Sequence, residues 1–101
     1  MNEKTALQDE YLRLTREVLP RRAREEGWVL RHDHCFMRVL LDHVFDDCWY
    51  RHLDRRQPAY RQLTEQQLAE AVDLAREILY TGDRLLKAMN DRSLRLRGKA
   101  S

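Results

Sequence analysis

The sequence predicts an all-α protein, a small four-helix bundle around a buried central helix at about residues 34–53. Three observations carry this reading. Charged residues make up 36% of the chain, and three glycines and two prolines leave little material for the tight turns of a sheet. Apolar residues recur at helical spacing in long segments separated by turn signals. The stretch HDHCFMRVLLDHVFDDCWYRH, His32 to His52, holds all four histidines, both cysteines and both phenylalanines. At ~100° per residue its Phe36, Met37, Leu40, Leu41, Val44, Phe45 and Cys48 share an arc covering more than half the circumference, as in a core helix. At 101 residues the chain suits one domain, 1–101, with one core.

Each element has its own signals. Leu7, Tyr11, Leu14 and Val18 form the stripe of a first helix from about Glu3 to Leu19. Pro20 predicts that this helix either stops or kinks and restarts with proline in the new first turn. The charged run PRRAREEG continues helically to Gly27, a natural C-terminal cap. Trp28, Val29 and Leu30 then make an apolar connector, with Trp28 anchoring the crossing. Asp33 is positioned to cap the central helix, which starts at about His34. Pro58 ends whatever helix precedes it. Thr64 and Gln67 form a capping box for a helix whose buried face is Leu68, Ala71, Val72, Ala75, Ile78 and Leu79. Tyr80, Thr81 and Gly82 close it, and Asp83 is expected to cap a last helix with a thinner stripe of Leu85, Met89 and Leu96.

His34, Arg38 and Asp42, spaced i, i+4, i+8, run along the edge of the apolar arc beside Phe45 and Trp49. Burying an unpaired charge costs several kcal/mol, roughly, so Arg38 and Asp42 must pair with each other or with a neighbouring helix. Two readings follow. The line is a structural ion pair that fixes packing, or it is a polar site walled by aromatic residues in which His34 exchanges protons near neutral pH.

Two further chemistries are conceivable in the same stretch. Cys35, in the first turn of a helix and next to histidines, has the setting of an acidified thiol, although no resolving cysteine is near and Asp33 opposes the effect. No metal centre is expected. The residues that offer ligands are His43, Cys48 and His52; Cys48 and His52 are one helical turn apart, but His43 lies roughly 140° round the helix from Cys48. On one helix Cys35 and Cys48 would stand about 20 Å apart and could not bond to each other, so reduced thiols are expected.

The net charge of +2 argues against a dedicated nucleic-acid binder. The one local asymmetry is C-terminal, where Arg84, Lys87, Arg92, Arg95, Arg97 and Lys99 face the single acid Asp91. That run offers phosphate contacts but no aromatic platform for bases. No apolar run approaches the ~18 residues of a membrane helix, and MNEKTALQDEYLRLTRE has no signal-peptide core, so a cytoplasmic protein is expected.

The pattern HCFMRVLLD at His34 to Asp42, Trp49 seven residues later, and PAYRQLTEQQLAEAV at Pro58 to Val72 resemble a family of short bacterial proteins carrying an HCFxRxxLD motif. These are often labelled GCN5-related N-acetyltransferase-like, and the resemblance spans roughly residues 11 to 95. It implies shared architecture around His34, Cys35, Arg38 and Asp42. The coenzyme A loop Q/RxxGxG/A of true acetyltransferases has no counterpart here, since Gly27, Gly82 and Gly98 are isolated. No cofactor is identifiable. The expected function is therefore that of a small binding or accessory protein, working through a protein partner or a small ligand at the polar edge of the central helix, with a homodimer through the first or last helix also conceivable. The alternatives are an enzyme with His34 as acid or base, Cys35 as nucleophile and Arg38, oriented by Asp42, as anion clamp, and nucleic-acid binding through the arginine-rich C-terminus.

Overall fold

Asn2 opens the first helix, its side-chain oxygen accepting the Thr5 N–H at 2.7 Å. In the computed structural model, which describes residues 2–98, helix α1 (Glu3–Arg13) runs through a π-helical turn (Leu14–Val18) into α2 (Leu19–Glu26). Of the two outcomes predicted at Pro20, the helix takes the restart, with proline in the first turn of α2. Proline has no N–H to offer, and its ring crowds the carbonyl four residues back, that of Arg16. The wider π turn, closed by the Leu19 N–H on the Leu14 carbonyl, absorbs both defects without stopping the helix. Gly27 ends α2 at φ 69°, in the left-handed region where a side chain would be strained.

Trp28 is buried and anchors the connector as expected, while the Val29 N–H donates to Asp83 Oδ1 at 2.9 Å. Helix α3 (Asp33–Phe45) follows and packs against α2, the π turn and the two later long helices. It is the central helix, with Phe36, Val39, Leu40 and Leu41 buried. Its limits differ from expectation at both ends. Asp33 is the first helical residue, its carboxylate turned to the His34 N–H, and His32 occupies the cap position. The helix stops at Phe45, well short of residue 53. Asp46 takes the left-handed conformation at φ 53°, its N–H reaching the Asp42 and His43 carbonyls, and the Asp47 carboxylate accepts the Cys48 N–H at 2.8 Å. Aspartate tolerates that conformation better than most residues with a side chain, so two acids end a helix that the apolar pattern alone would continue. Cys48 lies outside the helix, and a single 3₁₀ turn (Trp49–Arg51) follows.

A four-residue helix α4 (Ala59–Gln62) starts directly after Pro58. Helix α5 (Glu65–Thr81) begins at the predicted capping box, with Thr64 Oγ1 accepting the Gln67 N–H at 3.1 Å and Gln67 Oε1 accepting the Thr64 N–H at 2.9 Å. Gly82, at φ 91°, joins it to α6 (Asp83–Leu96). Asp83 is again inside the helix, spending its carboxylate on Val29 and Lys87. The buried face of α6 is Leu86, Met89 and Ser93, not the Leu85, Met89 and Leu96 stripe. The reason is polar, because Ser93 is drawn inward by hydrogen bonds to α3.

The result is an all-α bundle of four principal helices: the continuous α1–π-turn–α2 rod, α3, α5 and α6. Small buried residues, Ala71 and Ala75, lie on the α5 face that packs on its neighbours. Among the described residues there is no strand, and no helix is long and apolar enough to cross a membrane.

Glu10 ties α1 to α5. It accepts from Arg13 at 2.7 and 3.0 Å and from Arg76 at 2.9 Å. The Arg13 hydrogen bond, opposed by partial burial and helped by Arg76, holds its carboxyl down at about 2. A depressed carboxyl stabilises the fold fully above its unfolded value of 4.5, and this contribution disappears as pH falls to about 2. Both arginines are more than half exposed, so about 1 kcal/mol is expected at neutral pH. Urea unfolding of Glu10→Gln should show that deficit at pH 7 and converge on the wild type as the pH approaches 2; a gap independent of pH would contradict the assignment.

Candidate functional site

The cleft with the chemistry of a binding site lies at the start of α3, between the α1–π-turn segment and α4. It is a half-open cleft of about 180 Å³, lined by Leu12, Met37, Pro58, Ala59 and Tyr60, with Tyr11, Thr15, Arg16, Asp33 and His34 as its other members. Tyr11 and Thr15 face it because the α1 stripe turns inward here, and the π turn begins among them. Single π turns inside α-helices recur at functional sites, since they re-aim side chains that a regular helix would place elsewhere.

Tyr11 is the unusual residue. It is only 2% exposed, and among the described residues its hydroxyl is the one buried side-chain polar atom without a hydrogen-bond partner. Leaving such a group unsatisfied costs about 1–3 kcal/mol. Burial pushes the phenol well above its ordinary range and the positive charge of Arg16 offsets only part of this, so the hydroxyl keeps its proton and remains a donor. Thr15 is also buried but satisfied, its hydroxyl donating to the Tyr11 carbonyl at 2.9 Å. Arg16 has no carboxylate within ion-pair distance among the described residues; its guanidinium lies 6.0 Å from the Tyr60 ring centre. His34 stands at the rim, its side chain 73% exposed and its Nδ1 3.7 Å from Asp33 Oδ1.

The rest of the predicted polar line serves a different place. Asp42 is fully buried and accepts from Ser93 Oγ at 2.6 Å, Arg97 Nε at 2.7 Å and the Trp49 N–H at 2.9 Å. Arg38 donates to the same Ser93 Oγ and to Asn90 Oδ1, both at 2.7 Å. Arg38 and Asp42 are thus joined through the Ser93 hydroxyl. They fasten α6 and the turn after α3 onto the central helix. Burial disfavours the charge on Arg97, but hydrogen bonds with Asp42 and Tyr50 outweigh it and raise its pKa further. Arg97 and Arg55 also lie over Tyr50, at 4.6 and 3.6 Å from its ring centre.

His34 therefore lines the cleft, Arg38 and Asp42 do not, and half-buried Cys35 is not among the lining residues. The candidate metal ligands are also apart. His43 Nε2 donates to the Met89 carbonyl at 3.1 Å, and its Nδ1 accepts from Arg92, which can only donate. His52 bonds Asp47 at 3.1 Å and stacks on Phe45, and Cys48 is buried with a free thiol. The helical-turn relation expected of Cys48 and His52 is lost because α3 ends before both. Among the described residues no group of three or more His, Cys, Asp or Glu side chains is placed to hold a metal ion. In the C-terminal basic run, Arg97 engages Asp42, Arg92 engages Asp46 and Lys87 engages Asp83, while Arg84 and Arg95 are exposed and Lys99 lies outside the described residues.

Sequence reasoning counted Tyr11 as one more core residue and passed over Thr15, Arg16 and Tyr60. The available signal was Pro20, which removes a donor and crowds the carbonyl of Arg16 and so marks a break in regular helix near these residues. Compared with models of protein families, with curated proteins and with solved structures, the chain matches none.

Proposed function

We propose that the protein is a non-enzymatic binding domain whose small ligand occupies the cleft at the start of α3. The observation that carries this reading is Tyr11, which lines a cleft large enough for a ring and whose buried hydroxyl has no partner: an apolar cavity of ~150 Å³ holds benzene. A ligand that supplies the missing acceptor recovers the cost of that orphan group. Arg38 and Asp42, engaged with α6, fit packing better than catalysis. A cytoplasmic location, kinship with the short HCFxRxxLD proteins, and action through a protein partner or a homodimer belong to the same proposal.

The test is an amide-resolved NMR titration with benzyl alcohol, alongside Tyr11→Phe. Shifts should concentrate on Tyr11, Thr15, Met37 and Ala59. Tyr11→Phe removes the orphan group, so the free protein should gain about 1 kcal/mol in urea unfolding while binding weakens. The absence of localised shifts, or a loss of stability on removing the hydroxyl, would overturn the reading.

A further inference from the structure

We propose that this cleft selects a small organic carboxylate, an anionic head on a ring-sized apolar body, held between the Tyr11 hydroxyl and the Arg16 guanidinium. The inference rests on the binding reading above and adds the class of ligand. Two residues that line the cleft carry donors without acceptors. Tyr11 offers a buried O–H with no partner, and Arg16 a guanidinium with no carboxylate within ion-pair distance among the described residues. Seven other arginines are matched to acids, Arg13 and Arg76 on Glu10 and Arg97 on Asp42 among them, while Arg21, Arg24, Arg31 and Arg61, like Arg16, have no carboxylate within ion-pair distance among the described residues. Arg16 differs from those unpaired arginines in lining the cleft.

A carboxylate satisfies both donors at once. One oxygen takes the phenol O–H and the other the guanidinium, each bond strengthened by the ligand's charge. A lone inorganic anion would satisfy the same donors but leave the apolar walls of Leu12, Met37, Ala59 and Tyr60 facing water. The Asp33 carboxylate does not compete for Arg16; it accepts the His34 N–H at 2.8 Å and lies beside the His34 ring. The α3 N-terminus contributes little, because Asp33 already occupies it.

The experiment is calorimetric titration of the full chain with four probes: benzoate, benzyl alcohol, benzylammonium and inorganic phosphate. Benzoate should bind about tenfold tighter than either other ring compound, and phosphate should be weaker still. Arg16→Gln should remove most of the preference for benzoate over benzyl alcohol, with the melting temperature near wild type. Tyr11→Phe should weaken benzoate more than benzylammonium. Equal affinity for benzyl alcohol or benzylammonium would overturn the anion assignment and leave the binding site standing. Phosphate as tight as benzoate would overturn the apolar body. No heat from any ring compound would overturn both this inference and the binding reading.

Discussion

Replacing Asp42 with alanine lowers the unfolding free energy by about 3–5 kcal/mol, the cost of breaking a buried ion pair from one side. The carboxylate is fully buried and satisfies Ser93, Arg97 and the Trp49 N–H together, so its removal strips partners from three groups at once. Arg97, 12% exposed, keeps slight access to water and holds the cost toward the lower end. For a domain of this size such a loss corresponds to a fall in Tm of more than about 12 °C. Asp42→Asn, which keeps an acceptor oxygen, should fall between. Arg38→Ala should cost clearly less, because Asp42 retains Ser93 and Arg97. His34→Ala should leave Tm within about 2 °C, as an exposed side chain away from packing does. Circular-dichroism melts of the four variants decide the order, and an Arg38→Ala protein as unstable as Asp42→Ala would place the anchor at Arg38 instead.

The second large effect is apolar. Phe36→Ala should cost about 3–5 kcal/mol, since Phe36 is fully enclosed in the core of the central helix and its removal leaves a void the neighbours fill only in part. Phe45, on the last turn of the same helix, is half-buried and stacks on His52 with ring centres 4.8 Å apart. Its truncation should cost less than half as much. Urea midpoints at fixed pH measure both. Equal losses would mean that the helix is buried evenly along its length, against the burial described here.

Helical character, the capping box of α5 and the Gly27 stop were legible because each depends on residues within a turn of one another. The end of α3 was not, since it is set by Asp46 in a left-handed conformation that its side chain only tolerates, with an apolar arc continuing past it to Cys48. The Asp33 and Asp83 caps were misplaced by one residue because both carboxylates have other partners, the His34 N–H and the Val29 N–H respectively, and the second of these is 54 positions away. For Arg38 and Asp42 the requirement for partners was readable from helical spacing. Their identities, Asn90, Ser93 and Arg97, were not, because spacing along one helix says nothing about which face of another helix meets it. The cleft was hidden for a related reason: Tyr11 fits the apolar stripe of α1 by its ring, and only the packing of α4 against that stripe shows that its hydroxyl finds no acceptor.

The Asp42 junction also orders events in time. Its partners Ser93 and Arg97 follow it by 51 and 55 residues, so a chain emerging from the ribosome displays α3 long before anything arrives to neutralise the carboxylate. Until then the residue stays in water, and with it the face of α3 that the last helix will cover. The α3–α6 junction can therefore close only once residue 97 is available, whereas the packing of α3 on α2, the π turn and α5 draws on residues that precede it.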